Sequence, residues 1–304
     1  MEVVVELKHT FSGHDGPVYA LEIGLEENRI YSGSGDRLVS EWSFDKNIEP
    51  KALINVGATV YSLCFVQAIN SILIGQASGG LHVVDLEKRV EVRLLQHHSA
   101  GIFDLKYSLK HAQVYSAGAD GVFGIWDMKN FTLLKSFKFC KEKLRAVALN
   151  SDESELAIAC GDGFIRFIDP AELKMKDQFE AHNLSVNSVS YHPNLPLLLS
   201  GGRDAILNFW DTNNHQLVKS VPAHNYAIYS IDFSKDGRYF ATASRDKTVK
   251  IWDAENLEFL LRIDKDKSNG HSHSVNKIMW TGSDMLLSAG DDKTIKFWCI
   301  SKAN

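Results

Sequence analysis

The sequence predicts an all-β fold built from seven copies of one four-stranded unit, and two observations predict it. The first is the spacing of tryptophan, because Trp42, Trp126, Trp210 and Trp252 are separated by 84, 84 and 42 residues. The second is that a 42-residue unit contains short runs of β-branched and aromatic residues that alternate with polar ones, separated by turn residues. A fixed period of this length indicates a repeat architecture.

The period places one third-strand position in every unit. The last unit is longer, since Trp298 follows Trp252 by 46 residues. The seven positions are Trp42, Val84, Trp126, Ile168, Trp210, Trp252 and Trp298. Because each repeat buries its apolar face against its neighbours, the units predict a single domain over residues 1–304.

The sixth unit shows the strands most clearly. Its four runs cover residues 226–233, 238–244, 248–253 and 257–263, and polar turns separate them. Four antiparallel strands per unit, repeated seven times, predict the blades of a seven-bladed β-propeller. Residues 3–11 match the fourth, outer strand of a blade although no blade precedes them, so we expect this N-terminal strand to complete the last blade.

The units resemble repeats of the WD-repeat family. They open with Gly-His or Ala-His, as at His14 and His224, and several end with Trp-Asp, as at Trp126. The resemblance implies a hydrogen-bonded set of His, Ser or Thr, Asp and Trp in each blade. Five units carry the full set: His14, Ser32, Asp36 and Trp42; His98, Ser116, Asp120 and Trp126; His182, Ser200, Asp204 and Trp210; His224, Thr242, Asp246 and Trp252; and His271, Ser288, Asp292 and Trp298.

Units two and four have lost the set in a concerted way. A partly dismantled buried network leaves an unsatisfied polar group that costs about 1–3 kcal/mol, whereas removal of all partners can be nearly neutral. The replacements are Val56, Ile74, Ser78 and Val84 in unit two, and Cys140, Ile158, Asp162 and Ile168 in unit four. We expect the Asp162 carboxylate to bond the backbone of its own turn. Five copies of a His/Ser/Asp grouping therefore predict a scaffold role and no catalytic residues.

Function is expected where the repeats differ. The resemblance places two positions of each unit around the central opening, on the face that carries the entry loops. The residue five after the entry His is Tyr19, Tyr61, Phe103, Arg145, Asn187, Tyr229 or Asn276. The residue before the turn Asp is Gly35, Ala77, Ala119, Gly161, Arg203, Arg245 or Asp291.

Aromatic residues dominate these positions in units one to three, and arginines in units four to six. Both types are enriched at interaction hot spots, so we expect this face to bind a partner with apolar and acidic elements. The alternative is that the aromatics fill the channel while the arginines pair with Asp291 or nearby carboxylates. An aromatic cage for a methylated cation is disfavoured by the neighbouring arginines. A longer connection, 264–269, is expected to enlarge a solvated loop on the same face.

Composition narrows the function classes. The chain has 44% hydrophobic and 23% charged residues, a net charge of −5 and four cysteines without CxxC spacing. We expect buried, reduced thiols and a cytoplasmic protein, with no signal peptide, membrane segment or cofactor. His271 already belongs to a scaffold set, so a metal site with His273 is disfavoured.

Three function classes remain open at this point. The leading prediction is a non-catalytic interaction scaffold that works as a monomeric propeller within a complex. A hydrolase-like propeller enzyme would need several metal ligands on the axis, where only Asn187, Asn276 and Asp291 offer oxygen. A nucleic-acid-binding module is the third class, and the negative net charge argues against it.

Overall fold

A computed structural model describes residues 3–24, 28–45 and 48–302 of the chain. The strands in this part form seven four-stranded antiparallel sheets, one for each predicted unit. The seven-bladed β-propeller predicted from the sequence is confirmed. The predicted domain limits, residues 1 and 304, lie outside the described residues.

The strands of a blade run in chain order from the central channel to the outer edge of the propeller. The inner strands are β2 (Val18–Ile23), β6 (Val60–Val66), β10 (Ile102–Ser108), β14 (Leu144–Leu149), β18 (Val186–Tyr191), β22 (Ile228–Phe233) and β26 (Val275–Trp280). The second strands are β3 (Arg29–Ser34), β7 (Ser71–Gln76), β11 (Gln113–Gly118), β15 (Leu156–Cys160), β19 (Leu197–Gly202), β23 (Tyr239–Ser244) and β27 (Met285–Gly290).

The outer half of each blade consists of the third and fourth strands. The third strands are β4 (Leu38–Ser43), β8 (Gly80–Asp85), β12 (Val122–Asp127), β16 (Phe164–Asp169), β20 (Ile206–Asp211), β24 (Val249–Asp253) and β28 (Thr294–Lys302). The outer strands are β5 (Lys51–Asn55), β9 (Val90–Gln96), β13 (Thr132–Lys138), β17 (Lys174–Glu180), β21 (Leu217–Pro222), β25 (Glu258–Ile263) and, for the last blade, β1 (Val3–Ser12).

Burial explains the sequence pattern of these strands. The second strands are covered on both faces by adjacent blades, so β19 (LLLSGG) is buried at every residue and reads as a continuous apolar run. Outer strands face solvent and are mostly exposed, as in β13. Seven hydrophobic clusters lie between the seven pairs of adjacent blades, and together they form the core.

The ring is closed by pairing between the two ends of the described chain. Strand β1 runs antiparallel to β28, with Val3 opposite Lys302 and Ser12 opposite Thr294. A bulge lies between Leu7 and His9. The predicted closure by the N-terminal strand is confirmed, and β28 has no open edge over this length.

The connection at 264–269 differs from the expected loop. Residues Lys265–Ser268 form a short helix, α1, because the Asp264 side chain accepts a hydrogen bond from the Lys267 N–H at 2.9 Å. Asp264 is buried and bonds Arg262 at 2.6 Å. The extra residues are thus anchored rather than fully solvated. In the part of the chain that the structure describes, no helix has the length and apolar character needed to cross a membrane.

The closing strand gives the first testable prediction. Phe11 is 7% exposed and packs with residues of the first and last blades, whereas Val4 on the same strand is 43% exposed. Phe11→Ala should cost about 3–5 kcal/mol and lower the melting temperature by roughly 6 °C or more. Val4→Ala is the matched control and should change stability by less than about 0.5 kcal/mol. Equal melting temperatures for the two variants, measured by circular dichroism, would contradict this role of β1.

Candidate functional site

One chain of hydrogen bonds links the strands of the first blade to its entry loop. His14 Nδ1 lies 2.7 Å from Asp36 Oδ2, and His14 Nε2 lies 2.7 Å from Ser32 Oγ. Trp42 Nε1 donates to the same Ser32 oxygen at 2.7 Å. The Asp36 carboxylate also accepts from the Asp15 N–H at 2.9 Å. The set therefore fastens the entry loop to the turn between the second and third strands.

The structure brings the same four side chains together in four further blades. Across all five sets, Nδ1 of His lies 2.7–3.1 Å from Asp, Nε2 of His lies 2.7–2.8 Å from the hydroxyl oxygen, and Nε1 of Trp lies 2.7–3.0 Å from it. The further sets are His98, Ser116, Asp120 and Trp126; His182, Ser200, Asp204 and Trp210; His224, Thr242, Asp246 and Trp252; and His271, Ser288, Asp292 and Trp298.

The fourth blade uses a different arrangement at the same place. Asp162 Oδ1 accepts from the Phe164 N–H at 3.3 Å, within its own turn. The main partner of this carboxylate is Arg166, which binds both oxygens at 3.0 and 2.7 Å. Sequence reasoning missed Arg166, because the charge came from the third strand rather than from the positions of the set. In the second blade, Ile74 and Val84 are fully buried and simply add to the core.

Aromatic side chains from adjacent blades form a continuous arc at the mouth of the central channel. The channel holds a cavity of about 860 Å³. The ring centroids of Tyr19 and Tyr61 lie 5.4 Å apart, and those of Tyr61 and Phe103 lie 4.9 Å apart. The Arg145 guanidinium lies 4.9 Å from the Phe103 centroid. We call Tyr19, Tyr61, Phe103 and Arg145 the mouth arc; it extends over the first four blades.

Arg145 carries a charge at the mouth and forms no ion pair with the described residues. Its side chain is partly buried, and its Nε has no hydrogen-bond partner among the described residues. Burial lowers the pKa of the Arg145 guanidinium; the Tyr229 hydroxyl opposes this effect, and the positive charge of Arg203 adds to it. In residues 3–24, 28–45 and 48–302, the arginines that form ion pairs are Arg29, Arg89, Arg166, Arg238 and Arg262.

The remaining mouth residues are polar and bonded to each other. Asn276 Nδ2 donates to the Val18 carbonyl at 3.1 Å and to Asp291 Oδ1 at 2.8 Å, which joins the last blade to the first. Asn187 Oδ1 accepts from Ser185 Oγ at 3.0 Å. Asp291 is therefore bonded by an amide, and the alternative in which it pairs with the three arginines is not the observed arrangement.

Arg203 and Arg245 lie outside the channel, on the exposed entry-loop face. Each follows a second strand, and its N–H bonds the entry loop of the same blade: Arg203 N to the Ser185 carbonyl at 2.8 Å, and Arg245 N to the Ala227 carbonyl at 3.0 Å. Tyr229 lines the channel instead. The structure thus divides the predicted residues between the channel mouth and its rim.

Two exposed apolar residues beside these arginines were missed by sequence reasoning. Leu184 is 50% exposed and Tyr226 is 60% exposed, and each lies two residues after an entry His. The Arg245 guanidinium lies 6.0 Å from the Tyr226 ring centroid. The signal available in the sequence was a large apolar residue at this loop position, which holds Gly16 in the first blade and Ala100 in the third. We call Leu184, Arg203, Tyr226 and Arg245 the rim patch.

The view that the axis offers oxygen only from Asn187, Asn276 and Asp291 is wrong. The carboxylates of Glu22, Asp104 and Asp232 also line the channel, below the mouth. They were missed because a bulge in the inner strands, as between Val18 and Ala20, brings additional positions to the channel side.

These lower carboxylates connect neighbouring blades. Asp104 Oδ2 accepts from the Val147 N–H at 2.8 Å, and Asp232 Oδ2 accepts from the Trp280 N–H at 2.7 Å. Burial raises the pKa of Asp232. Lys277 reaches within 3.9 Å of Asp104 from the last blade. The lower channel is therefore a bonded part of the scaffold.

The cysteines are free, as expected, but not all of them are buried. Cys64 and Cys160 are buried, whereas Cys140 and Cys299 are partly exposed. The expectation of four buried thiols is wrong for the latter two. Cys140 lies in an entry loop, which is open to solvent. Cys299 lies on β28, and β1 covers this strand along one edge only.

The repeats match a known family model. The model described as WD domain, G-beta repeat, matches residues 5–43, 89–127, 173–211, 215–253 and 265–299, more than half of the chain. The chain belongs to the WD-repeat family. Each of the five matched segments contains one complete His/Ser/Asp/Trp set, so the family signal follows these sets.

Relatives of this WD-repeat chain are distant. WD repeat-containing protein 90 of Xenopus tropicalis is 21% identical over 60% of the chain and 11% of its own length. Serine-threonine kinase receptor-associated protein of Homo sapiens is 27% identical over 64% of the chain and 55% of its own length. The probable coatomer subunit beta' of Schizosaccharomyces pombe is 26% identical over 52% of the chain and 20% of its length. The matches thus span about half or less of these relatives.

The scaffold sets predict a difference between two buried tryptophans. Trp210 Nε1 donates to Ser200 Oγ at 2.8 Å, whereas Trp280 Nε1 has no partner among the described residues. Both substitutions to Phe remove the same atoms, but only Trp210→Phe breaks a buried hydrogen bond. Trp210→Phe should therefore be more destabilising than Trp280→Phe by about 1 kcal/mol in urea unfolding. A larger loss in Trp280→Phe would show that the set does not stabilise its blade.

The sets also predict how stability depends on pH. Burial lowers the pKa of His98 and His224 below the ordinary value of 6.5, so these rings stay neutral in the blade. The unfolded chain binds protons at these residues below pH 6.5, and the free energy of unfolding should fall on acidification from there. Burial opposes ionisation of Asp246, but bonds from His224 and Thr248 outweigh it and hold its pKa below the ordinary value.

A second loss of stability should therefore appear near pH 4 and below, as the scaffold carboxylates are protonated in the unfolded chain. The urea concentration at the midpoint of unfolding, determined between pH 8 and pH 3.5, measures both losses of stability. An increase in stability between pH 7 and pH 5 would contradict neutral histidines in the blades.

Proposed function

We propose that this propeller is a non-catalytic interaction module that binds a protein or peptide on its entry-loop face, around the channel mouth. The observation that carries the proposal concerns the arginines of this face. They form no ion pair with the described residues, and exposed apolar side chains lie beside them. Arg145 is partly buried at the mouth without a carboxylate partner among the described residues. Leu184 and Tyr226 lie on the rim next to Arg203 and Arg245.

The mouth arc suits an apolar segment of the partner. Tyr61 and Phe103 are held in contact with each other and with Arg145, so little side-chain freedom is lost when a ligand packs against them. Rigid aromatic side chains next to arginine are the residue types most often found at binding hot spots. The nearly continuous surface from Tyr19 to Arg145 can therefore receive one or two apolar side chains.

The arginines suit acidic groups of the same partner. Arg145 cannot leave the mouth without losing its contact with Phe103, and its Nε–H, which has no partner among the described residues, requires an acceptor. Arg203 and Arg245 on the rim would attract acidic residues and accelerate association. The net charge of the chain is −5, so this positive face is local, and a nucleic-acid partner, which needs an extended basic surface, is not proposed.

The comparisons support the general role. The relatives include proteins named as a receptor-associated protein and a coatomer subunit, which are names of proteins that work with other proteins. We propose by analogy that this chain acts as a monomeric propeller within a complex. Four free cysteines favour a reducing compartment such as the cytoplasm.

A displayed library of random peptides tests the proposal. Peptides selected on the immobilised protein should combine acidic with bulky apolar residues. For a selected peptide, the double variant Arg203→Glu, Arg245→Glu should weaken affinity at least about tenfold and reduce its salt dependence. Arg93→Glu, on the exposed outer strand β9, is the matched control and should leave affinity unchanged.

Alanine variants of the arc test the apolar part. Tyr61→Ala and Phe103→Ala should mainly speed dissociation in surface plasmon resonance. Phe259→Ala, at an exposed aromatic residue on the outer strand β25, is the control. If selected peptides lack acidic residues, or bind all variants equally, the entry-loop face is not the binding site. Tight, salt-sensitive binding of a single-stranded RNA instead would favour the nucleic-acid class.

A further inference from the structure

The fourth blade places two cysteines side by side where other blades hold the entry histidine. Cys140 occupies the histidine position, and Cys160 ends strand β15, two residues before Asp162. The corresponding residue is Gly118 in the third blade, where an added Cβ would lie 2.4 Å from Nδ1 of His98. A side chain at position 160 therefore points at the side chain of position 140.

The two cysteines pack in the same apolar cluster and differ in environment. Hydrogen bonding with Cys160 is the largest cause that lowers the pKa of Cys140, and the charge of Arg166 acts in the same direction. Cys140 is partly exposed, and its Sγ lies 3.2 Å from the Glu142 carbonyl. Cys160 is fully buried, and burial raises its pKa. Cys140 is thus the accessible thiol and Cys160 the sheltered one.

A metal site does not fit this cluster. Cys140, Glu142 and Asp162 offer ligand atoms within 4.8 Å of one another. However, both Asp162 oxygens are bound by Arg166 at 3.0 and 2.7 Å, and the guanidinium would repel a cation. The cluster is suited to thiol chemistry instead.

The geometry points to a reversible intramolecular disulfide between Cys140 and Cys160 that forms when the protein meets a peroxide. The Cys140 thiolate attacks one peroxide oxygen and becomes a sulfenic acid, and the other oxygen leaves as water after taking up a proton. The Cys160 sulfur then attacks the Cys140 sulfur, and the hydroxyl leaves with the Cys160 proton as a second water. Two thiols are oxidised by two electrons, and one peroxide is reduced to two waters. This inference does not depend on partner binding.

Thiol counting by mass spectrometry tests the inference. The reduced full chain is treated with hydrogen peroxide, denatured and alkylated with N-ethylmaleimide. Two of the four cysteines should escape alkylation, and the protein should be lighter by two hydrogens before alkylation. Peptide mapping should find Cys140 linked to Cys160, and dithiothreitol should restore four alkylated thiols.

Single-cysteine variants identify the pair. Cys140→Ser and Cys160→Ser should abolish the linked species, and Cys140→Ser, at a partly exposed position, should fold normally. Cys64→Ser and Cys299→Ser are matched controls and should retain it. A disulfide that includes Cys64 or Cys299, or irreversible oxidation of Cys140 without a link to Cys160, would overturn the inference.

Discussion

Each blade of this propeller is stable only because its neighbours cover both of its faces. The seven apolar clusters lie between blades and not within them, so the loss of one interface exposes two sheets at once. The pairing of β1 with β28 has a special place, since it is the only strand pairing that joins the beginning of the described chain to its end. Phe11 shows the consequence, because it extends this strand into the cluster shared by the last and first blades.

The ring constrains which positions can vary. Residues on the second and third strands are buried from both sides, so a polar group that loses its partners there costs free energy. Blades two and four show the two solutions that remain when the set is lost. The second blade replaces it with apolar packing at Ile74 and Val84. The fourth blade builds a new polar group from Asp162 and Arg166, and Cys140 packs in the same cluster as Cys160.

Periodicity was sufficient to predict the blades and the closing strand, because both depend on spacing. The resemblance to WD repeats implied the residues of the five sets. The side chains of the channel mouth could also be placed, because Tyr61 and Phe103 occupy one repeat position in adjacent blades, and adjacent blades touch.

Features that depend on local deviations from the repeat were not predictable. The bulge at the head of each inner strand changes which residues face the channel, and Asp104 and Asp232 were missed for that reason. The pair Asp162–Arg166 lies in a blade that has Cys140 at the histidine position. Helix α1 depends on the single cap at Asp264, which looks like an ordinary charged loop residue in sequence.

On the entry-loop face, the arginines fall into two groups, one on an inner strand and two on turns. Arg145 is held by Phe103 on a rigid inner strand, whereas Arg203 and Arg245 stand on turns whose backbone is fixed by hydrogen bonds to the entry loops. A ligand that engages both regions meets a surface that is already ordered, so most of its binding free energy is not lost to ordering the protein. Under the proposed function, the partly buried charge of Arg145 would favour an acidic group at one position, since an apolar group there would leave its Nε–H without an acceptor. The rim arginines, which water can solvate, would affect mainly the rate of encounter. Under the proposed function, affinity would therefore depend mainly on the fourth blade, and the association rate on the fifth and sixth blades.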